Sequence, residues 1–308
     1  MARMQGLVVA TVIPYDAAGA VDWNSFDRMM GHVSGEPEVT GIFVNGHAGD
    51  ASMLTLGERR QVISRARERL QPHQKLFAGA VSMSTQGVCE EARVAEALGA
   101  DIVVPFPAPA MGQGGMTSDA VPMAFFEQVS QATRLPLSVF QMPLASGLGM
   151  RTDTLVKLVK TFPIVAVKEG SDTIVAYEDN FFALREANSA VAILPSSYDF
   201  FLSQLAVGAD GILSGLGSLA PRLLARLWRS ARVSDLAEMR EINMEMYPLI
   251  RAVYGNKVRM HMHTRIKAGL MQLGIIDNYL PRGPLVALPK AELQEIKSVI
   301  SRFSPGYL

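Results

Sequence analysis

The chain has 308 residues, of which 49% are apolar and 19% charged, and its 29 basic side chains balance its 29 acidic ones. That composition excludes a disordered chain, and the absence of a net charge leaves no electrostatic footprint for nucleic acid or an anionic membrane. One cysteine, Cys89, excludes an internal disulfide framework and fits a reducing compartment.

The apolar run 7–13 meets Pro14 with no small-residue cleavage pattern behind it, so it reads as a first strand and not as a signal peptide. No apolar run approaches the roughly 20 residues of a membrane span. A cytoplasmic protein is expected. Further strand-like runs recur at 41–45, 75–81, 101–105, 136–140, 164–168, 191–194 and 211–214. Amphipathic stretches of helical length separate them, at 23–33, 58–70, 86–98, 123–133, 152–161, 173–187, 198–207 and 220–231. Thr152-Asp153 reads as a helix start, and Gly99 and Gly208 as helix stops. This alternation predicts an α/β chain folded as a (β/α)8 TIM barrel over residues 1–233. A doubly wound open sheet competes, but the first loop lacks the G-x-G-x-x-G that would support it. From Ser234 the pattern is helical only, at 235–251, 256–273 and 290–302, which predicts a C-terminal extension (234–308) packed on the barrel.

The sixth run ends in the segment Ile164-Val165-Ala166-Val167-Lys168-Glu169-Gly170. Four apolar residues of this composition suit a strand buried on both faces. Alternation places Lys168 on the face of small Ala166 and Glu169 on the opposite face, toward the helices. An amine at such a strand end is partly desolvated, which lowers its pKa and makes it usable as a nucleophile. Active sites of such barrels lie at the C-terminal ends of the strands, so the loops after the other strands share the pocket with Lys168. An ordinary snorkelling lysine is the alternative.

Several segments together carry a resemblance. Gly46-His47-Ala48-Gly49-Asp50 followed by Leu54-Thr55-Leu56-Gly57-Glu58 resembles the Gly-Thr-Thr-Gly-Glu loop of the dihydrodipicolinate synthase / N-acetylneuraminate lyase family. Val167-Lys168-Glu169 resembles its Schiff-base lysine segment, Phe140-Gln141-Met142-Pro143 stands where it has Tyr-Asn-x-Pro, and Ile266-Lys267-Ala268-Gly269-Leu270 resembles its C-terminal helices. The resemblance implies that Lys168 condenses with the ketone of pyruvate or another 2-oxo acid, and that no cofactor beyond that imine is needed. It implies that the backbone N–H groups of Gly46, His47 and Ala48 hold the carboxylate. It also implies a homo-oligomer, a tetramer in most of the family.

The departures are as informative. Phe140 has no hydroxyl where the family has its relay tyrosine, and His47 and Ala48 replace both loop threonines. Phe106-Pro107 stands where a tyrosine pair reaches into a neighbouring subunit, and Ala145 falls where dihydrodipicolinate synthase carries its arginine for the distal carboxylate. A lysine-biosynthetic role is therefore not expected. His47, whose imidazole ordinarily titrates near neutrality, is the first candidate to replace the relay, with Tyr198 second. Phe140, Ser197, Ser214 and Gly215 are expected to line the substrate site. Asp50 reads as a brace for its loop, and His261 and His263 as solvated or tail-packing residues, with no metal-ligand spacing. The expected activity is a Schiff-base lyase, an aldolase or dehydratase. A 2-oxo-acid-binding barrel that has lost turnover and acts as a sensor is the competing reading.

Overall fold

The computed structural model describes residues 3–255, 258–304 and 306–308. Eight short strands carry the architecture: β1 (Gly6–Ala10), β2 (Val39–Val44), β3 (Lys75–Ala80), β4 (Ile102–Pro105), β5 (Leu137–Gln141), β6 (Ile164–Glu169), β7 (Ala192–Pro195) and β8 (Gly211–Ser214). They are parallel and ordered β7-β6-β5-β4-β3-β2-β1-β8. The ring closes between β7 and β8, where the Asp210 N–H donates to the Ile193 carbonyl at 3.0 Å. The Asp210 carboxylate accepts from the Ile193 N–H at 2.8 Å and pairs with Arg185 at 2.6 Å.

Helices cover the outside: α1 (Trp23–Ser34), α2 (Leu56–Arg69), α3 (Thr85–Ala97), α4 (Ala120–Ala132), α5 (Thr152–Thr161), α6 (Ile174–Ala187), α7 (Phe201–Val207) and α8 (Pro221–Arg232). The chain is thus a (β/α)8 barrel. Two apolar layers hold it, one between strands and helices and a smaller one inside the ring. The inner layer is lopsided. Phe43 and Phe77 fill it at β2 and β3, whereas Ala166 and Ala192 leave room at β6 and β7, below Lys168.

Element boundaries follow local chemistry. The sheet part of the first run stops at Ala10, although the chain stays buried to Ile13. Helix α2 starts at Leu56, ahead of the expected 58, because Thr55 and Glu58 form a reciprocal capping box. The expected helix 198–207 is divided: a 3-10 turn, Tyr198–Phe200, precedes α7. Thr152-Asp153 does open α5, with Arg151 in the cap position and the Thr152 hydroxyl donating to Asn180 Oδ1 at 2.8 Å. Gly99 and Gly208 do follow α3 and α7, both with positive φ.

The tail supplies α9 (Leu236–Tyr254), α10 (Met262–Gln272) and α11 (Lys290–Ile300). The expected helix 256–273 begins at residues 256 and 257, outside the described residues. Its described part is a 3-10 turn, Arg259–His261, before α10. One face of α10 lies over the barrel mouth: Gly269 approaches so closely that an added Cβ would sit 2.7 Å from Leu219. Among the described residues no helix is long and apolar enough to cross a membrane.

Candidate active site

Lys168 projects into the ring from the end of β6, in register with Phe140 on β5 and Leu194 on β7. Its Nζ lies 4.0 Å from the centre of the Phe140 ring and 5.7 Å from that of Phe43. Phe106 closes the same box, edge-on to Phe140 at 5.8 Å and stacked on Phe43 at 6.4 Å. Among the described residues no carboxylate pairs with this ammonium. Burial therefore acts nearly unopposed and lowers the amine to about 8. At pH 7 such a group is free amine in roughly one molecule in ten, several hundred times more often than an ordinary lysine. Glu169, one residue on, faces the opposite way, fully buried, and accepts from Asn180 of α6 at 2.9 Å. Its role is to fasten β6 to the helix layer.

The loop after β2 forms the next wall. Its ends, Asn45 and Asp50, both adopt left-handed backbone at φ 54° and 48°, a cost for non-glycine residues that is typically found where a loop serves a site. Two glycines permit its path: a Cβ on Gly46 would lie 2.7 Å from the Phe43 ring, and one on Gly79 would lie 2.0 Å from the Asn45 carbonyl. No hydrogen bond among the described residues occupies the N–H groups of Gly46, His47 or Ala48. Asp50 anchors the loop from outside, its carboxylate 3.5 Å from the buried Lys267 ammonium of α10.

His47 opens into the cavity, with its ring 5.0 Å from Phe106 and 5.4 Å from Phe140. Apolar walls, and secondarily the charge of Lys168, hold it near pKa 4. This corrects the expectation that it titrates near neutrality: it is a neutral imidazole at physiological pH.

The far wall comes from the loops after β7 and β8. Ser196 and Ser197 spend their hydroxyl protons on the end of β6 and the loop after it, donating to the Glu169 carbonyl at 3.1 Å and the Ser171 carbonyl at 2.6 Å. Ser197 lines the cavity, as expected, with its hydroxyl proton already committed to Ser171. Ser214 accepts from the Leu216 N–H at 3.2 Å. Tyr198 stacks flat on Tyr254, ring centres 3.7 Å apart, and Arg259 lies beside its hydroxyl. Burial raises the pKa of Tyr198, so it is a neutral phenol.

These residues enclose a cavity of about 190 Å³ that Lys168, His47, Ala48, Phe140, Ser197, Tyr198, Ser214 and Gly215 all line. Gly46 does not; it lines a second cavity of about 630 Å³ on the other side of His47. Among the residues of the small cavity that sequence reasoning missed are Tyr254, Arg259, Met262 and His263. His263 is neither solvated nor packed in the tail. It faces the site, and burial, with the nearby His47 and Lys168, lowers it to about 3. The available signal was its spacing from Lys267, since residues i and i+4 share one helix face and a lysine amid apolar residues marks a buried one. Among the described residues no group of three or more His, Cys, Asp or Glu could hold a metal ion.

The family model of the dihydrodipicolinate synthetase family matches residues 3–303. The chain belongs to that family. Within it, the chain is 30% identical to a 4-hydroxy-tetrahydrodipicolinate synthase of Corynebacterium aurimucosum over 94% of this chain and 91% of that one. Among solved structures it is similar to a monomeric dihydrodipicolinate synthase variant, with a TM-score of 0.89 at 22% identity, covering 99% of this chain and 98% of that one. It is also similar to an E. coli prophage protein of the dihydrodipicolinic acid synthase family solved with pyruvate, with a TM-score of 0.87 at 19% identity over 97% and 98% of the two chains. At those identities the two structures speak for the fold alone. As a member of the dihydrodipicolinate synthetase family, the chain presents Phe140 and His47 at the positions set out above.

Proposed function

We propose that this protein is a Schiff-base-forming lyase that cleaves or forms a bond next to the keto group of pyruvate or another 2-oxo acid, through Lys168. The observation that carries the reading is the amine itself: set among aromatic rings, without a carboxylate partner among the described residues, and lowered to about 8. The Lys168 amine adds to the C2 carbonyl, and loss of water leaves a protonated imine. When the C3–C4 bond of a 4-hydroxy substrate breaks, its electron pair passes to C3 and on to the imine nitrogen, giving an enamine. The 4-hydroxyl loses its proton and leaves as an aldehyde. The enamine is then protonated at C3, and water hydrolyses the imine to release the 2-oxo acid and regenerate the amine.

His47 is the group assigned to the hydroxyl proton. The charge on Lys168 is one cause of its low pKa; as the electron pair neutralises the iminium, that repulsion disappears. His47 thus becomes more basic at the step that needs a base. The unoccupied N–H groups of His47 and Ala48 suit the substrate carboxylate. The imine is the electron sink, so the reading calls for no cofactor. It further takes the protein to be a cytoplasmic homo-oligomer, which sedimentation of the purified chain would test.

Borohydride reduction in the presence of pyruvate should fix a reduced adduct on Lys168, located by peptide mass. No adduct with a broad set of 2-oxo acids would refute the proposal. A second reading, a 2-oxo-acid sensor without turnover, draws on Phe140, whose ring offers no proton where a relay would stand. Adduct formation without bond cleavage or dehydration across the same set would favour it.

A further inference from the structure

The mouth of the barrel holds two chambers, and the same four side chains, His47, Arg259, Met262 and His263, line both. The smaller one, at about 190 Å³, has room for the three-carbon keto-acid end at Lys168 but falls below the range of about 300–1,000 Å³ usual for a whole organic ligand. The larger, at about 630 Å³, falls in the range that ordinarily accepts an organic group of substantial size. Its walls are mostly sulfur and carbon, from Met53, Met142, Met260 and Met262 with Phe106 and Leu148.

The charges in those walls are largely spent. Arg59 pairs with Glu91 at 3.1 Å and donates to the Ala51 carbonyl at 3.1 Å. Asp50 is held by Lys267, and both histidines are neutral at pH 7. Arg259 stands at the doorway beside the Tyr198 hydroxyl. A polyhydroxylated tail would leave most of its hydroxyls facing thioethers and ring carbons, a loss that polar sites avoid by matching each group. Methionine walls suit flat aromatic groups, because their sulfurs are polarisable and their chains adapt.

We infer that the large chamber binds the non-keto half of the substrate and that this half is aromatic: a 4-aryl-4-hydroxy-2-oxo acid in the cleavage direction, an aromatic aldehyde in the other. The inference rests on the lyase reading and names its substrate class. In the forming direction the pyruvate enamine on Lys168 attacks the aldehyde carbon. A new C–C bond forms, the carbonyl π pair moves to oxygen, and that oxygen takes from His47 at the doorway the proton that His47 removed from C3 of the pyruvate iminium when the enamine formed. Water then hydrolyses the iminium, releasing the 4-aryl-4-hydroxy-2-oxobutanoate and restoring the amine.

The test uses the full chain labelled with 13C-methyl methionine. Millimolar benzyl alcohol, an unreactive stand-in for the aldehyde, should shift the Met142 and Met262 methyl signals, and glycerol at equal concentration should not. In parallel, with saturating pyruvate, kcat/KM for benzaldehyde should exceed that for glyceraldehyde at least 100-fold. Absent methyl shifts, or a polar aldehyde preferred, overturns the aromatic assignment even when pyruvate is trapped on Lys168. Methyl shifts without a pyruvate adduct uphold the chamber's aromatic preference and overturn the lyase reading alone.

Discussion

Lys168 and Lys267 are both withdrawn from water at the mouth of one barrel, and they meet opposite surroundings. Lys267, on α10, is fully buried, yet it has the Asp50 carboxylate at 3.5 Å and the Tyr15 ring at 4.5 Å. Burial lowers its pKa, and the Asp50 charge opposes that shift. Lys168, half-buried, has the Phe140 and Phe43 rings beside its nitrogen and no carboxylate paired with it among the described residues, and it settles near 8. Burial alone therefore does not decide what a lysine does. A carboxylate in contact makes the ammonium a strut between the tail and the site-forming loop; its absence leaves the amine with the lowered pKa that the proposed chemistry needs.

The largest expected effect comes from removing the strut's partner. Asp50→Asn leaves a buried ammonium uncompensated and should cost about 3–5 kcal/mol, read as a lower urea midpoint. Unchanged stability would mean that Lys267 finds another anchor and the contrast with Lys168 fails. The reverse change at Lys168 should be a gain. Its folded pKa, about 8, lies below the unfolded value of about 10.4. The penalty for burying the charge is thus fully present below pH 8, and wild-type stability recovers as pH rises from there to about 10.4. Lys168→Met should accordingly be more stable by about 1–3 kcal/mol at pH 7, with the gap narrowing as pH rises from about 8 through about 10.4 in paired denaturation curves.

Two smaller effects sharpen the comparison further. The rate of pyruvate adduct formation on the free enzyme should climb nearly tenfold per pH unit up to an inflection at about 8 and then level off. An inflection above 10 would place Lys168 among ordinary surface lysines. Phe140→Ala admits water to the nitrogen now 4.0 Å from that ring, and should move the inflection upward by roughly one unit. If the inflection stayed at 8, desolvation by the aromatic box would not be its cause.

Much of this was legible locally. Periodicity located all eight strands to within a few residues, because each is a short apolar run punctuated by helix caps and glycines. Alternation sent Lys168 inward and Glu169 outward, as hydrogen bonding to Asn180 shows for Glu169. The site's near wall, His47 to Ala48, followed from its place after β2. The far wall was less readable. Ser197 has a free hydroxyl in the sequence but donates it to Ser171 across a loop, a contact 26 residues away. Tyr254 and His263 come from a tail whose methionines and leucines announce only that it packs somewhere.

The sequence by itself determined the barrel and the position of the lysine, since strand period, helix caps and the order of loops are properties of neighbouring residues. Only tertiary structure decided which of the two lysines has a carboxylate in contact and which histidines lose their charge. Those outcomes depend on the dielectric and charge contributed by residues distant in the chain: three phenylalanines from β2, the turn after β4 and β5 around one amine, one aspartate against the other, and a tail helix laid across the mouth.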